Sequence, residues 1–189
     1  MRVGRRNTID REHVLKAAEA LVSEQGSGAL TIAAVAEAAG ITKGGVQSCF
    51  GSKEALIAAM LQRWLAEYEL QFAQSLADRT DAISRVAAHV AVTRDDDAGS
   101  QARAAGLLAM LIQHPEHLKD SRDWYARRIS ELDLAKPAER RAMAAFLAAE
   151  GAFFLRFLGL LPMDDQLWRS MFEEIAALAS PEVHSMAQP

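Results

Sequence analysis

Between positions 31 and 56 the chain reads Thr-Ile-Ala-Ala-Val-Ala-Glu-Ala-Ala-Gly-Ile-Thr-Lys-Gly-Gly-Val-Gln-Ser-Cys-Phe-Gly-Ser-Lys-Glu-Ala-Leu. Thr31 opens a short amphipathic run with Ile32, Val35, Ala36 and Ala39 on one side, and Gly40 closes it. Thr42 then caps a second short run ending at Phe50. Gly51 breaks the chain, and Ser52 caps a third, longer run. Short hydroxyl side chains satisfy the free amides at a helix start, and glycine accepts the left-handed backbone at its end. Two short helices on a tight glycine turn make a helix-turn-helix, which lays its second helix in the major groove of DNA.

The rest of the chain also reads as helix, without strand-like alternation, and good helix formers dominate. A first helix is expected from Asp10 to Gln25, capped by Asp10 or Thr8, with Val14, Leu15, Ala18, Leu21 and Val22 inward, stopped by Gly26 and Gly28. Helices over 31–39, 42–50 and 52–78 follow, then segments 82–94, 101–114, 115–133, 137–160 and 164–179, about nine helices in all. Pro115 and Pro137 suit first-turn positions. The expected fold is all-α: a three-helix domain over 1–52 with a basic N-terminal arm, a helical bundle over 53–180, and a frayed tail over 181–189.

Several functional classes find no support in these residues. No apolar run approaches the roughly 20 residues of a membrane span, and the arginines near the N-terminus precede no apolar leader. The single cysteine, Cys49, rules out an intrachain disulfide and suits a reducing cytoplasm. It reads as a small half-buried residue rather than a sensor thiol, since no second cysteine can resolve it. His114 and His117 flank Pro115 without a third ligand, so they read as a surface turn and no metal site is expected. No phosphate loop, nucleophile elbow, His-Glu-x-x-His or paired carboxylates occur, so neither an enzyme nor a cofactor is expected.

The net charge of −4 is unusual for a chain that binds DNA. Its distribution is more favourable: residues 1–56 hold seven Lys/Arg against six Asp/Glu, and the remainder 14 against 19. Local phosphate contacts are compatible with this, broad charge-driven coating of nucleic acid is not. The third helix offers Thr42, Lys43, Gly44, Gln47 and Ser48, while Val46 and Phe50 face inward. Gln47 can pair bidentately with adenine. Gly44 and Gly45 each cost a short helix about 1 kcal/mol. They mark either a close approach to DNA or a loosely wound surface turn. Lys53, in the first turn of the fourth helix, suits a phosphate at that terminus or simply water.

Residues 10–56 resemble the N-terminal domain of the TetR family of bacterial repressors. Lys43-Gly44-Gly45-Val46 and Phe50-Gly51-Ser52-Lys53-Glu54-Ala55-Leu56 carry the likeness, with Leu30-Thr31-Ile32, Ala36 and Gly40 before them. The departure is Gln47-Ser48-Cys49, where that family commonly has Tyr-His-Tyr. The resemblance implies double-stranded operator DNA as partner, with contacts from Thr31, Thr42, Lys43, Gly44, Gly45, Gln47, Ser48 and Lys53. Arg5 and Arg6 of the arm are expected to reach a minor groove.

The resemblance further implies an effector pocket in the body and a homodimer through the last two long helices. Pocket candidates are Met60, Trp64, Phe72, His89, Met110, Trp124, Tyr125 and Phe153, residue types that suit an adaptable apolar cavity and equally suit ordinary core. The stretch 143–160 is apolar on several faces and must bury more than one. Phe146, Phe154, Phe157 and Leu158, with Leu167, Trp168, Met171, Phe172 and Ile175, are candidates for a four-helix contact between subunits. The plainer reading is the core of a single chain. The expected function is a ligand-responsive repressor that binds a palindromic operator and is released by a small, largely apolar effector. The alternative is a helical ligand-binding or interaction protein without specific operator binding.

Overall fold

A computed structural model describes residues 9–95 and 118–180. The described residues form eight helices and no strand: α1 Arg11–Gln25, α2 Ile32–Ala38, α3 Lys43–Phe50, α4 Lys53–Leu76, α5 Ala82–Arg94, α6 Leu118–Ile129, α7 Pro137–Phe157 and α8 Asp165–Leu178. The expected helix over 101–114, the arm with Arg5 and Arg6, Met110, His114, Pro115, His117 and the tail after Ser180 lie outside the described residues.

The chain divides into two compact units, Met1–Trp64 and Leu65–Pro189. The division falls inside α4, whereas the sequence reading placed it at that helix's start. The first turns of α4 belong to the first unit's packing. Leu56 and Ala59 are buried, and Arg63 Nη1 lies 2.9 Å from Glu12 and 3.4 Å from Glu19 on α1.

In the first unit α1 packs on α2 and α2 on α3. The core is apolar: Val14, Leu15, Ala18, Leu21, Val22, Leu30, Val35, Ala36, Ala39, Val46 and Phe50 are buried. Asp10, Thr31, Thr42 and Ser52 each accept a backbone N–H two or three residues on, at 3.0–3.1 Å. Gly40 adopts φ +64°. Its N–H donates to Glu37 O, and that of Ile41 to Ala36 O at 2.9 Å, the paired bonds that close a helix around a left-handed residue. This turn fixes the path from α2 to α3.

In the second unit α5 packs against α6, α7 and α8, and α7 against α8. The main core joins Val86 and Val90 to Phe146, Phe153, Phe157, Trp168, Phe172 and Ile175. A smaller cluster joins Tyr68 and Phe72 of α4 to Ala88 and Val92 of α5. Helix α7 stops at Phe157 rather than running to 160, because Gly159 takes φ +68° and the Leu160 N–H turns back to Leu155 O at 2.9 Å. Helix α4 ends at Leu76, two residues before the expected Asp78.

Candidate functional site

Helix α3 has two edges of opposite character. Val46 is fully buried and Phe50 nearly so, with the Arg11 guanidinium 4.7 Å from the Phe50 ring centre. Lys43, Gly44, Gln47 and Ser48 are exposed, and at steps of one, three and four residues they share one face. Thr31 and Thr42 are exposed as well; each oxygen caps its helix, leaving the hydroxyl proton to give to an outside acceptor. Lys53 is half-buried at the first residue of α4. Cys49 is half-buried and free.

The two glycines of α3 have different reasons. A Cβ on Gly44 would meet nothing closer than Thr42 Oγ1 at 3.9 Å, so its bare backbone faces open space. A Cβ on Gly45 would fall 2.9 Å from Ile9 Cδ1 and 3.4 Å from Ile41 Cδ1. Gly45 is therefore buried for internal packing, not bared for an approaching duplex, which corrects the reading of the pair as one feature.

The second unit holds a set of polar side chains inside its helices. His89 is 1% exposed, and the Tyr68 hydroxyl lies 2.5 Å from its Nδ1. His89 Nε2 is 2.8 Å from Glu150 Oε1, close enough for an ion pair but without hydrogen-bond alignment. The Tyr125 hydroxyl donates to Glu150 Oε2 at 2.8 Å. Nearby, Trp124 Nε1 and Arg128 Nη2 donate to the same Glu69 oxygen, at 2.7 and 2.6 Å. Burial pushes the phenols of Tyr68 and Tyr125 above their ordinary range, and for Tyr125 the Glu150 carboxylate adds to it, so both remain hydroxyls.

Of the expected pocket residues, His89, Trp124 and Tyr125 meet: the Trp124 ring centre lies 6.0 Å from that of His89 and 4.9 Å from that of Tyr125. Phe72 adjoins them through Tyr68 at 6.3 Å. Phe153 instead joins the aromatic file of the main core, 4.7 Å from Phe157. Met60 and Trp64 are half-buried in the first unit. Sequence reading missed Tyr68, Glu69, Arg128 and Glu150. The available signal was spacing: Tyr68 and Phe72, like Trp124 and Arg128, stand four residues apart and share a face. The dimer candidates also separate. Phe146, Phe157, Trp168, Phe172 and Ile175 are buried in the chain's own core, Phe154 and Leu158 are half-buried, and Leu167 and Met171 are exposed. Among the described residues no group of side chains is arranged to hold a metal ion, and no helix is long and apolar enough to cross a membrane.

A helix-turn-helix with a polar outer edge, followed by a helical body, is the architecture of a one-chain transcription factor, and the comparisons agree. The family model described as bacterial regulatory proteins, tetR family, matches residues 14–60, and the one described as tetracyclin repressor-like, C-terminal domain, matches 83–180. The chain belongs to the TetR family of bacterial transcriptional regulators, whose members are DNA-binding factors and not enzymes.

Solved structures share the fold. A transcriptional regulator from Rhodococcus sp. Rha1 is 16% identical with TM-score 0.65, covering 90% of this chain and 95% of that one. The fatty acid degradation regulator FadR from Bacillus halodurans is 13% identical with TM-score 0.63, covering 95% and 99%. The multidrug binding protein EbrR complexed with ethidium is 20% identical with TM-score 0.58, covering 87% and 96%. No curated protein matches the chain.

Proposed function

We propose that the protein is a dimeric repressor that grips a palindromic operator through α3 and is released by a small effector held in its helical body. The observation that carries this reading is the exposed row Lys43, Gly44, Gln47 and Ser48 on a helix locked from behind by Val46 and Phe50. A rigid helix with a polar outer edge is what reading base edges requires. Thr31, Thr42 and Lys53 add phosphate contacts around it, and the Arg5–Arg6 arm a minor-groove contact. Gly45 serves the reading by seating α3 rather than by touching DNA.

The dimer is supported by apolar side chains left outside. On α8 Leu167, Met171 and Leu178 are 43%, 40% and 38% exposed, and on α7 Leu147 and Leu155 are 62% and 41% exposed. The α8 trio recurs at steps of four and seven, one stripe along the helix. A palindromic operator needs two α3 helices about 34–36 Å apart, one turn of DNA, and a dimer supplies the second helix. The effector reading rests on the cluster around His89, Trp124 and Tyr125, where apolar rings enclose a few polar groups. An effector releases DNA only by binding the non-matching state more tightly.

The test is a gel-shift titration on the DNA upstream of the protein's own gene, across a salt series. Wild type should give a sequence-preferring complex whose affinity falls steeply with salt. Gln47→Ala should lose about 1–3 kcal/mol of discrimination while its folding stability stays within about 0.5 kcal/mol. Absence of sequence preference at any salt would favour the rival, a helical binding protein without an operator. The replacement of the family's aromatic pair by Gln47-Ser48-Cys49 is what keeps that rival in play.

A further inference from the structure

Arg128 is an unusual buried residue. It is 5% exposed, and its guanidinium carbon lies 3.9 Å from the ring centre of Phe72, 4.6 Å from that of Trp124 and 5.6 Å from that of Tyr68. Guanidinium planes rest well on aromatic faces, so three rings fix this cation in place. Its partner is held far less firmly: in the pair with Glu69 the arginine side chain is 6% exposed and the glutamate 41%.

The pairing is also incomplete. An arginine fork and a carboxylate ordinarily meet through two parallel bonds. Here a single oxygen of Glu69 takes both Arg128 Nη2 and Trp124 Nε1. Arg128 Nε is buried with no acceptor among the described residues. The cluster thus has an anchored cation, an indole N–H and a donor, Nε, without an acceptor among the described residues, while one oxygen of a half-exposed side chain takes both Nη2 and the indole N–H. A cationic ligand would have to displace the anchored member of the pair. An anionic ligand need only displace the loose one, and the swap of one carboxylate for another leaves the local charge unchanged.

We propose that this is a carboxylate-exchange site, in which an apolar monocarboxylate takes the place of Glu69 on Arg128 and Trp124 and completes the fork at Nε. Its hydrocarbon part lies along the half-buried Trp124 indole, in the place that the Glu69 side chain leaves. Glu69 stands on α4 and its two donors on α6, so the exchange breaks the polar tie between these helices. Helix α4 is also the helix that begins at Lys53. The proposal rests on the effector reading above and names the chemistry of that effector.

The experiment is calorimetric titration of the full-length protein with benzoate and octanoate, each beside its uncharged amide. The carboxylates should bind at least tenfold more tightly than benzamide and octanamide. Glu69→Gln removes the internal competitor and should tighten carboxylate binding by fivefold or more. Arg128→Lys keeps a charge but loses the fork and should weaken it by tenfold or more, with circular dichroism reporting that both variants are folded. Equal binding of acid and amide would overturn the proposal, as would a Glu69→Gln variant that binds the acids no better than wild type or not at all. Operator release is read separately by gel shift. Carboxylate binding that leaves the operator complex intact would refute the effector reading and leave the exchange site standing.

Discussion

Among the described residues of the first unit every buried side chain is apolar, and the polar ones cap helices, pair between helices as Arg63 does with Glu12 and Glu19, or face outward. The three buried polar side chains among the described residues, His89, Thr93 and Arg128, belong to the second unit. The contrast follows from size and task. A three-helix unit has little interior, and a buried polar group costs free energy unless it is hydrogen-bonded. Recognition of a duplex needs polar groups only on the outside. The larger body can enclose aromatic walls around a charge, and a small ligand must be met inside. The two units therefore present opposite surfaces to chemistry.

The strongest way to break this comparison is through the body's apolar core. Phe172 is fully buried and lies 4.3 Å from the Trp168 ring centre. Phe172→Ala should cost about 3–5 kcal/mol, read as a shifted midpoint in urea denaturation. A loss below about 1 kcal/mol would mean that this core repacks freely.

A sharper contrast lies within α3. Gly44→Ala faces open space and should gain up to about 1 kcal/mol from helix propensity. Gly45→Ala pushes a methyl group toward Ile9 Cδ1 at 2.9 Å, the end of a side chain that must turn aside, so the propensity gain is offset and its stability should stay within about 0.5 kcal/mol of wild type. Thermal melts of the two variants decide it; equal shifts would remove the distinction between the glycines.

The smallest effect concerns Asp81, whose carboxylate accepts the Ser84 N–H at 2.8 Å and opens α5. Hydrogen bonds from Ser84 hold its pKa below the ordinary value. A lowered folded-state pKa contributes stability that is present above the unfolded value and lost as pH falls through the folded one. Asp81→Ala should cost about 1 kcal/mol at neutral pH. Asp81→Asn, an equally good cap, should lose only the charge-dependent part and flatten the acid side of a stability–pH curve. An Asp81→Asn curve that parallels wild type would assign the cap no charge contribution.

The helix starts were legible because capping is local: Thr31, Thr42 and Ser52 are each read from a few neighbouring residues, Asp10 as one of two candidates with Thr8, and each of the four accepts an amide of its helix's first turn. The end of α7 was less so. Leu158, Leu160 and Leu161 continue the apolar pattern, and the decisive bond depends on Gly159 adopting φ +68°. The outer edge of α3 was visible from periodicity. The pairing of Glu69 with Arg128 was not, since α6 is rich in charge (Lys119, Asp120, Arg122, Asp123, Arg127, Arg128) and periodicity does not say which member turns inward. Contacts between residues 59 positions apart leave no local signature.

The lock between Ile9 and Gly45 bears on how this protein could be retargeted. Because α3 is seated by Ile9, Gly45, Val46 and Phe50, residues 43, 44, 47 and 48 can be exchanged without disturbing the seat. A library restricted to those four positions should yield altered operator preferences from clones that almost all remain folded, whereas one that also places bulky side chains at position 45 should lose soluble members, since only a small group fits between Ile9 and Ile41.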